Sequence, residues 1–217
     1  MADPAYIDSD TGALTDGEAW VALNSQVCTS RTTSITWKTC YNDADQDVGG
    51  VNDWSQYLDL IILGHYRGTA SSVNGNLNIK TYYDATASSA IDFTSSCIGQ
   101  VLRNGTSTGV AYYSGARVGT QWDAGEMTGG GTSHSDGMSC CVLTLSDINS
   151  GKMKNGFCIG GSGDNTSVST SYTWHYGNTW QVLTPIRALT LYTRNLSQFE
   201  VDTRFDLFGI LPRMVNP

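Results

Sequence analysis

Residues 56–67 have the sequence QYLDLIILGHYR, a long and largely apolar run. Leucine or isoleucine occupies every position from Leu60 to Leu63, so both faces of an extended strand would be apolar here. Such a run is typical of a central strand that is buried on both faces. We therefore expect residues 56–67 to form an inner strand of a β-sheet.

Shorter stretches around this run also favour strands. The candidates are residues 35–38, 77–83, 110–113, 140–145, 157–159, 168–176, 186–193 and 203–210. Turn signals lie between them, such as Gly49-Gly50 and Gly177-Asn178. Only residues 145–153 favour a helix, with Ser146 in position to cap one turn. Short strands with regular turns predict an all-β, jelly-roll-like fold: a two-sheet antiparallel sandwich.

The N-terminal part of the chain differs from the rest, because its apolar side chains are isolated and no periodicity persists. The sequence therefore predicts an extended N-terminal arm over residues 1–30 and a β-sandwich domain over residues 31–217. Such an arm would lie on the domain or on a neighbouring subunit. We expect Tyr6, Leu14 and Trp20 to make hydrophobic contacts at that interface.

The composition is low in charge, with 15 % charged residues where about 25 % is usual. A surface with few charges favours a protein that assembles with others. The formal net charge is −8, whereas proteins that follow a phosphate backbone are basic. Nucleic acid and membrane surfaces are therefore not expected as partners.

The cysteines indicate the redox compartment. They are Cys28, Cys40, Cys97, Cys140, Cys141 and Cys158. The start of the chain, MADPAYIDSD, has neither the basic nor the apolar region of a signal peptide. We therefore expect synthesis in a reducing cytoplasm and free, mostly buried thiols. On a strand, Cys140 and Cys141 would point to opposite faces, which makes them poor disulfide partners for each other.

One acidic segment has part of a calcium-loop pattern. Asp43, Asp45 and Asp47 supply carboxylates at the first alternate positions of such a loop. The pattern then fails, because glycine falls one place late and Trp54 occupies the position of the final glutamate. These aspartates are a weak calcium candidate, and a solvated acidic loop is the alternative. No cofactor and no other metal site is expected.

The sequence predicts a protein that is not an enzyme. Its three histidines have no metal-ligand spacing, and no nucleophile-elbow motif accompanies them. A glycosidase needs two facing carboxylates, commonly glutamates on strands. The chain has only three glutamates, Glu18, Glu126 and Glu200, and Glu126 lies in a glycine-rich stretch.

Aromatic residues recur on one face of the strand predicted over residues 168–176. Tyr172, Trp174 and Tyr176 share that face, and Trp180 follows. A row of this kind can stack on sugar rings. It can equally pack in the core or at a subunit interface, so the sequence leaves a glycan-binding face and a packing face as alternatives.

The C-terminal part of the chain resembles a known family. Residues 185–192 (PIRALTLY), Phe199 and residues 203–210 (TRFDLFGI) are similar to the closing strands of β-sandwich domains in structural proteins of tailed bacteriophages. Those domains have an I-x-x-L-x-L strand, a short loop and a last strand g-[ST]-x-F-x-L-[YF]-G-I. Here Asp202 stands where glycine is frequent. Residues 54–63 (WSQYLDLIIL) resemble the family's opening central strand, so the resemblance covers about residues 33–211.

Within the last strand, Phe205 and Leu207 would point to one face and Arg204 and Asp206 to the other. None of these residues is placed for catalysis. The resemblance therefore implies a structural component of the virion, as head decoration, head fibre, tail fibre or baseplate component. Such a protein would be assembled in the host cytoplasm and carried in the virion.

The preferred interpretation is a capsid decoration (cement) protein that binds and stabilises the head shell. Its partners would be the major capsid protein and copies of itself, as a homotrimer, with Tyr6, Leu14 and Trp20 at the subunit or capsid interface. The alternative is a receptor-binding domain of a tail fibre or baseplate. That domain would bind a glycan through the aromatic row of residues 172–180.

Overall fold

A computed structural model describes most of the chain from residue 20 onward. The described residues are 20–40, 49–50, 52–69, 75–88, 93–104, 109–119, 122–127, 137–162, 171–180, 183–193 and 198–211. For residues 75–76, 93–104, 109–119, 122–123, 126–127, 171–172 and 180 the description covers the backbone alone.

Strands are the main secondary structure of this part of the chain. They are β1 (Trp20–Val27), β2 (Ser34–Lys38), β3 (Asp59–Tyr66), β4 (Gly75–Tyr82), β5 (Phe93–Asn104), β6 (Gly109–Gly119), β7 (Trp122–Met127), β8 (Ser139–Ser146), β9 (Lys154–Ser162), β10 (Ser171–Trp180), β11 (Ala188–Thr193) and β12 (Arg204–Ile210). A single turn of 3-10 helix, Trp54–Gln56, precedes β3, and the Asp53 side chain caps it. No helix of the described residues is long and apolar enough to span a membrane.

The strands form two antiparallel sheets. One has eight strands in the order β1-β12-β3-β8-β9-β10-β5-β6, and the other has four in the order β2-β11-β4-β7. Buried side chains from both sheets form one hydrophobic core. The predicted all-β, two-sheet sandwich is confirmed, and the jelly-roll winding stays a prediction.

The apolar run of residues 56–67 supplies β3, which lies between β12 and β8. Its inward side chains Leu60, Ile62 and Tyr66 are buried. On the other face Ile61 is buried, Leu63 is half-buried and His65 is exposed, so burial of that face is only partial. The central position is therefore confirmed, but burial on both faces is not, because one face of an antiparallel sheet can stay open.

The last strand anchors the C-terminal motif in the core. Phe205 and Leu207 are fully buried, whereas Arg204 and Asp206 point outward and form an ion pair of 2.9 Å. The Phe205 ring stacks on Tyr66 with centroids 5.3 Å apart, and Phe199 meets it edge-on at the same distance. The alternation predicted for this strand is confirmed.

Trp174 of β10 fills the space between the two sheets and is 1 % exposed. A β-carbon at Gly160 of β9 would lie 2.7 Å from its ring, and one at Gly125 of β7 would lie 2.5 Å from its Nε1. Contacts this short do not occur, so both positions require glycine for the indole to fit. Because Gly125 belongs to the smaller sheet, the indole contacts both layers.

The boundary predicted for the N-terminal arm differs from the structure. Residues 20–27 form β1, which pairs with β12 at the edge of the larger sheet. A bulge between Ala22 and Asn24 shifts the register, and this irregularity hides the strand period in the sequence. The rest of the predicted arm, residues 1–19 with Tyr6 and Leu14, lies outside the described residues.

The helix expected over residues 145–153 is wrong. Strand β8 continues to Ser146, and Asp147 then adopts a left-handed conformation with φ of 58°. Its N–H donates to Asp59 Oδ1 over 2.7 Å, and the N–H of Ile148 donates to the Leu58 carbonyl over 2.9 Å. These contacts fix a turn. The turn expected at Gly177-Asn178 is also wrong, since β10 continues to Trp180.

Gly209 of β12 provides a test of the core packing. An added β-carbon would lie 2.4 Å from Cδ1 of the buried Tyr57 ring, so we expect Gly209→Ala to lower the free energy of unfolding by about 1–3 kcal/mol. The matched control is Gly151→Ala, where an added β-carbon meets nothing within 4 Å and stability should stay within about 0.5 kcal/mol. Urea denaturation measures both. Equal midpoints for the two variants would contradict the contact.

Candidate functional site

The aromatic row predicted to bind a glycan is part of the core. Trp174 and Tyr176 are 1 % and 4 % exposed, so neither side chain offers a surface to a sugar ring. The glycan interpretation is wrong for these residues. The absence of a β-carbon at Gly125 and Gly160 leaves space for the Trp174 indole between the sheets, so this face of β10 points inward. Trp174 and Tyr176 instead pack in the core, which is the alternative interpretation. The side chains of Tyr172 and Trp180 lie outside the described part of the chain.

The other predicted site residues are not brought together. Asp43, Asp45 and Asp47 fall outside the described residues, so the calcium candidate stays a prediction. Within the described ranges, no three His, Cys, Asp or Glu side chains are grouped so that they could hold a metal ion. Trp20 is 49 % exposed and contacts Phe208, with ring centroids 6.0 Å apart. Its role at an interface stays a prediction.

The cysteines of strands β8 and β9 follow the alternation of those strands. Cys28, Cys141 and Cys158 are buried free thiols, whereas Cys140 is exposed. Cys140 and Cys141 therefore point to opposite faces, as expected. Cys141 lies opposite Gly160, which is two residues along β9 from Cys158, so the two buried thiols are neighbours.

Burial keeps the Cys158 thiol protonated. Desolvation raises the pKa of Cys158 well above its ordinary value, and the contact with Cys141 adds to the rise. The Trp174 indole lowers the pKa of Cys158, but burial has the larger effect. The indole Nε1 has no hydrogen-bond partner among the described residues. Desolvation likewise raises the pKa of Tyr66. A buried, protonated thiol is a poor nucleophile, so we do not expect Cys158 to act as one.

Lys154 is a second buried ionisable group, 1 % exposed at the start of β9. Its ammonium donates to the carbonyl of Ser150 and, over 3.0 Å, to that of Lys152. Desolvation lowers the pKa of Lys154, and the charge of Asp147 opposes this effect. The side chain thus stabilises the β8–β9 loop, a role that its sequence context does not reveal.

The outward face of the larger sheet is apolar near its centre. Val142, Phe157 and Ile159 are 39 %, 45 % and 47 % exposed. Val142 lies directly opposite Ile159 on the neighbouring strand. Side chains this apolar and this exposed on adjacent strands form a continuous surface rather than scattered single residues.

This surface continues toward the edge strand β1. Leu63 lies opposite Val142, and Ile61 lies opposite Phe208, which contacts Trp20. The ion pair between Arg204 and Asp206 lies beside it and is neutral as a pair. We call the following set the apolar face: Trp20, Leu63, Val142, Phe157, Ile159 and Phe208; Ile61 is buried beneath it.

The outward face of the smaller sheet is polar and concave. Three of its four strands, β2, β11 and β4, place Thr36, Thr190 and Lys80 side by side. Together with Ser34, Tyr82 and Tyr192 they line a groove of about 440 Å³, which we call the hydroxyl groove. The sequence contains the signal for it, namely the polar members of the alternating strands, but not the register that aligns them.

Short contacts order the floor of the hydroxyl groove. The Thr36 and Thr190 hydroxyl oxygens are 2.8 Å apart and hydrogen-bonded. The Lys80 ammonium lies 5.0 Å from the centre of the Tyr192 ring, within the range of a cation–π interaction. Ser34 and Thr36 also line a second depression of about 300 Å³ beyond β2, which Thr29, Ser30 and Thr32 help to form.

Comparison with known proteins finds no matching family model, no similar curated protein and no similar solved structure. The apolar face and the hydroxyl groove are therefore interpreted from their own chemistry.

The Cys158 thiol should make stability depend on alkaline pH. In the unfolded chain it ionises near the ordinary value of 9.0, whereas the folded protein keeps the proton to a higher pH. The stabilisation that the protonated Cys158 thiol provides is complete below the unfolded pKa of 9.0 and is lost as the pH rises above it. We therefore expect Cys158→Ala to reduce the loss of unfolding free energy between about pH 8 and pH 10, by up to about 1.4 kcal/mol.

Urea denaturation at the two pH values measures this difference. The control is Cys140→Ala, the same substitution at an exposed thiol on the neighbouring strand. Parallel pH profiles for Cys158→Ala and the unmodified protein would show that the buried thiol does not contribute.

Proposed function

We propose that this chain is a structural protein of a bacteriophage particle: a decoration (cement) protein that binds and stabilises the head shell. The observation that carries the proposal is the apolar face. Val142, Phe157 and Ile159 remain exposed to water although the fold has an ample core, which is typical of a surface that another protein covers. The resemblance of residues 33–211 to sandwich domains of tailed phages is the reason for proposing a bacteriophage particle as the assembly.

The size of the apolar face suits a specific protein contact. It lies on the five neighbouring strands β1, β12, β3, β8 and β9. With strands about 4.8 Å apart and about seven residues long, this part of the sheet covers roughly 570 Å² in projection. A standard protein interface buries about 800 Å² on each partner.

The charge of this surface also supports docking. The whole chain carries a net charge of −8, which makes copies repel one another. The apolar face contains no charged residue, and the neighbouring Arg204 and Asp206 neutralise each other. Contact through this face therefore avoids most of the repulsion. In the proposed assembly Trp20, with Tyr6 and Leu14, contacts the major capsid protein or another copy in a homotrimer.

A second candidate function is a receptor-binding domain of a tail fibre or baseplate. The hydroxyl groove favours it, since a shallow polar groove with tyrosine rings is suited to sugars. The position on the particle distinguishes the two candidates. A gold-labelled antibody on intact particles should mark the head if the protein decorates the shell. A label confined to the tail would reject decoration and support receptor binding.

A charge placed on the apolar face should abolish binding to the shell. We expect Phe157→Lys to weaken co-sedimentation with expanded empty heads at least about thirty-fold, the cost of losing a central contact residue. Its side chain is 45 % exposed, so the fold should tolerate the change. The control is Leu183→Lys, which changes an exposed leucine in the loop before β11. Undiminished binding of folded Phe157→Lys would exclude the apolar face as the docking surface.

A further inference from the structure

We propose that the hydroxyl groove on the outer face of the smaller sheet is a saccharide-binding site. This inference goes beyond the proposed role in the virion and does not depend on the position of the protein on the particle. It concerns the side of the sandwich opposite the apolar face, so a molecule docked through one face would keep the other open.

The lining of the groove matches the chemistry of a sugar. A saccharide presents many hydroxyl groups, each both a donor and an acceptor, and protein hydroxyls have the same dual capacity. Ser34, Thr36 and Thr190 supply such groups from two neighbouring strands. Because the Thr36 and Thr190 hydroxyls bond to each other, their remaining donor and acceptor capacity is held in a fixed arrangement.

Tyr192 and Lys80 add an aromatic wall and a cation. Sugar rings have an apolar face that packs on aromatic side chains. The Lys80 ammonium lies over the Tyr192 ring and is the one charged side chain among the described lining residues. It can donate to a sugar hydroxyl or to the carboxylate of an acidic sugar.

The groove has room for more than one sugar unit. Its volume of about 440 Å³ falls in the range of small-molecule sites. The second depression, of about 300 Å³, shares Ser34 and Thr36 with it and adds the hydroxyls of Thr29, Ser30 and Thr32. This continuous row of hydroxyls around β2 fits an oligosaccharide chain better than a compact ligand.

Backbone amide NMR of the whole protein tests the proposal. The probes are a panel of neutral and uronic-acid monosaccharides and short oligosaccharides, each titrated to millimolar concentration. At least one should shift the amide signals of Thr36, Lys80, Thr190 and Tyr192 and leave those of Val142 and Ile159 unchanged. Oligosaccharides should bind more tightly than their monosaccharides if the two depressions act together.

Two substitutions link the signal to the groove. Thr190→Val keeps the shape of the side chain and removes one hydroxyl, so the bound sugar should be held about five-fold more weakly. Lys80→Met should weaken binding to a similar or larger degree, with the larger effect on acidic sugars. The matched control is Thr144→Val, on the outer face of the other sheet, which should leave the affinity unchanged.

Two results would overturn the proposal. One is the absence of amide shifts in the groove with every member of the panel. The other is a sugar that binds Thr190→Val and Lys80→Met as well as it binds the unmodified protein. Either result would leave the docking role of the apolar face unaffected, since shell binding is measured separately with Phe157→Lys.

Discussion

The burial of Trp174 between the two sheets is the interaction on which the rest of the structure depends. Its indole lies against Gly160 of the larger sheet and Gly125 of the smaller one, and neither position has room for a β-carbon. Side chains alternate along a strand, so this placement also turns Tyr176 inward and leaves Thr173 and His175 outward. A slip of one residue would exchange the two faces of β10. The core contact therefore determines what the larger sheet exposes.

The fold could be predicted from the sequence where the pattern is local. The run that contains Leu60 and Ile62 predicts a central strand, and the alternation of Phe205 and Leu207 predicts the buried face of β12. Strands β5 and β7 were missed for an opposite reason. β5 has the sequence FTSSCIGQVLRN and β7 has the sequence WDAGEM, so neither carries a clear alternation. Pairing with neighbouring strands determines their structure, and a single sequence does not show pairing.

The candidate sites were harder to predict, because each depends on residues far apart in the chain. The sequence shows that Trp174 and Tyr176 share a face, but not that glycines on two other strands make room for them inside. The hydroxyl groove has the same origin. Thr36, Lys80 and Thr190 are ordinary polar residues of three strands until the register of β2, β11 and β4 sets them in one row. Alternation in the sequence identifies the polar face of each strand. The pairing of the strands is what joins these polar faces into one surface.

The sandwich separates the two outer faces by its whole thickness. Packed sheets lie about 10 Å apart, and the buried side chains between them isolate each outer face from the other. The apolar face is built on β1, β12, β3, β8 and β9, whereas the hydroxyl groove is built on β2, β4 and β11. The two surfaces share no strand, and residues this far apart usually contribute independently. Docking through the apolar face would therefore leave the shape and affinity of the groove unchanged, which is the arrangement that a protein fixed on one side and exposed on the other requires.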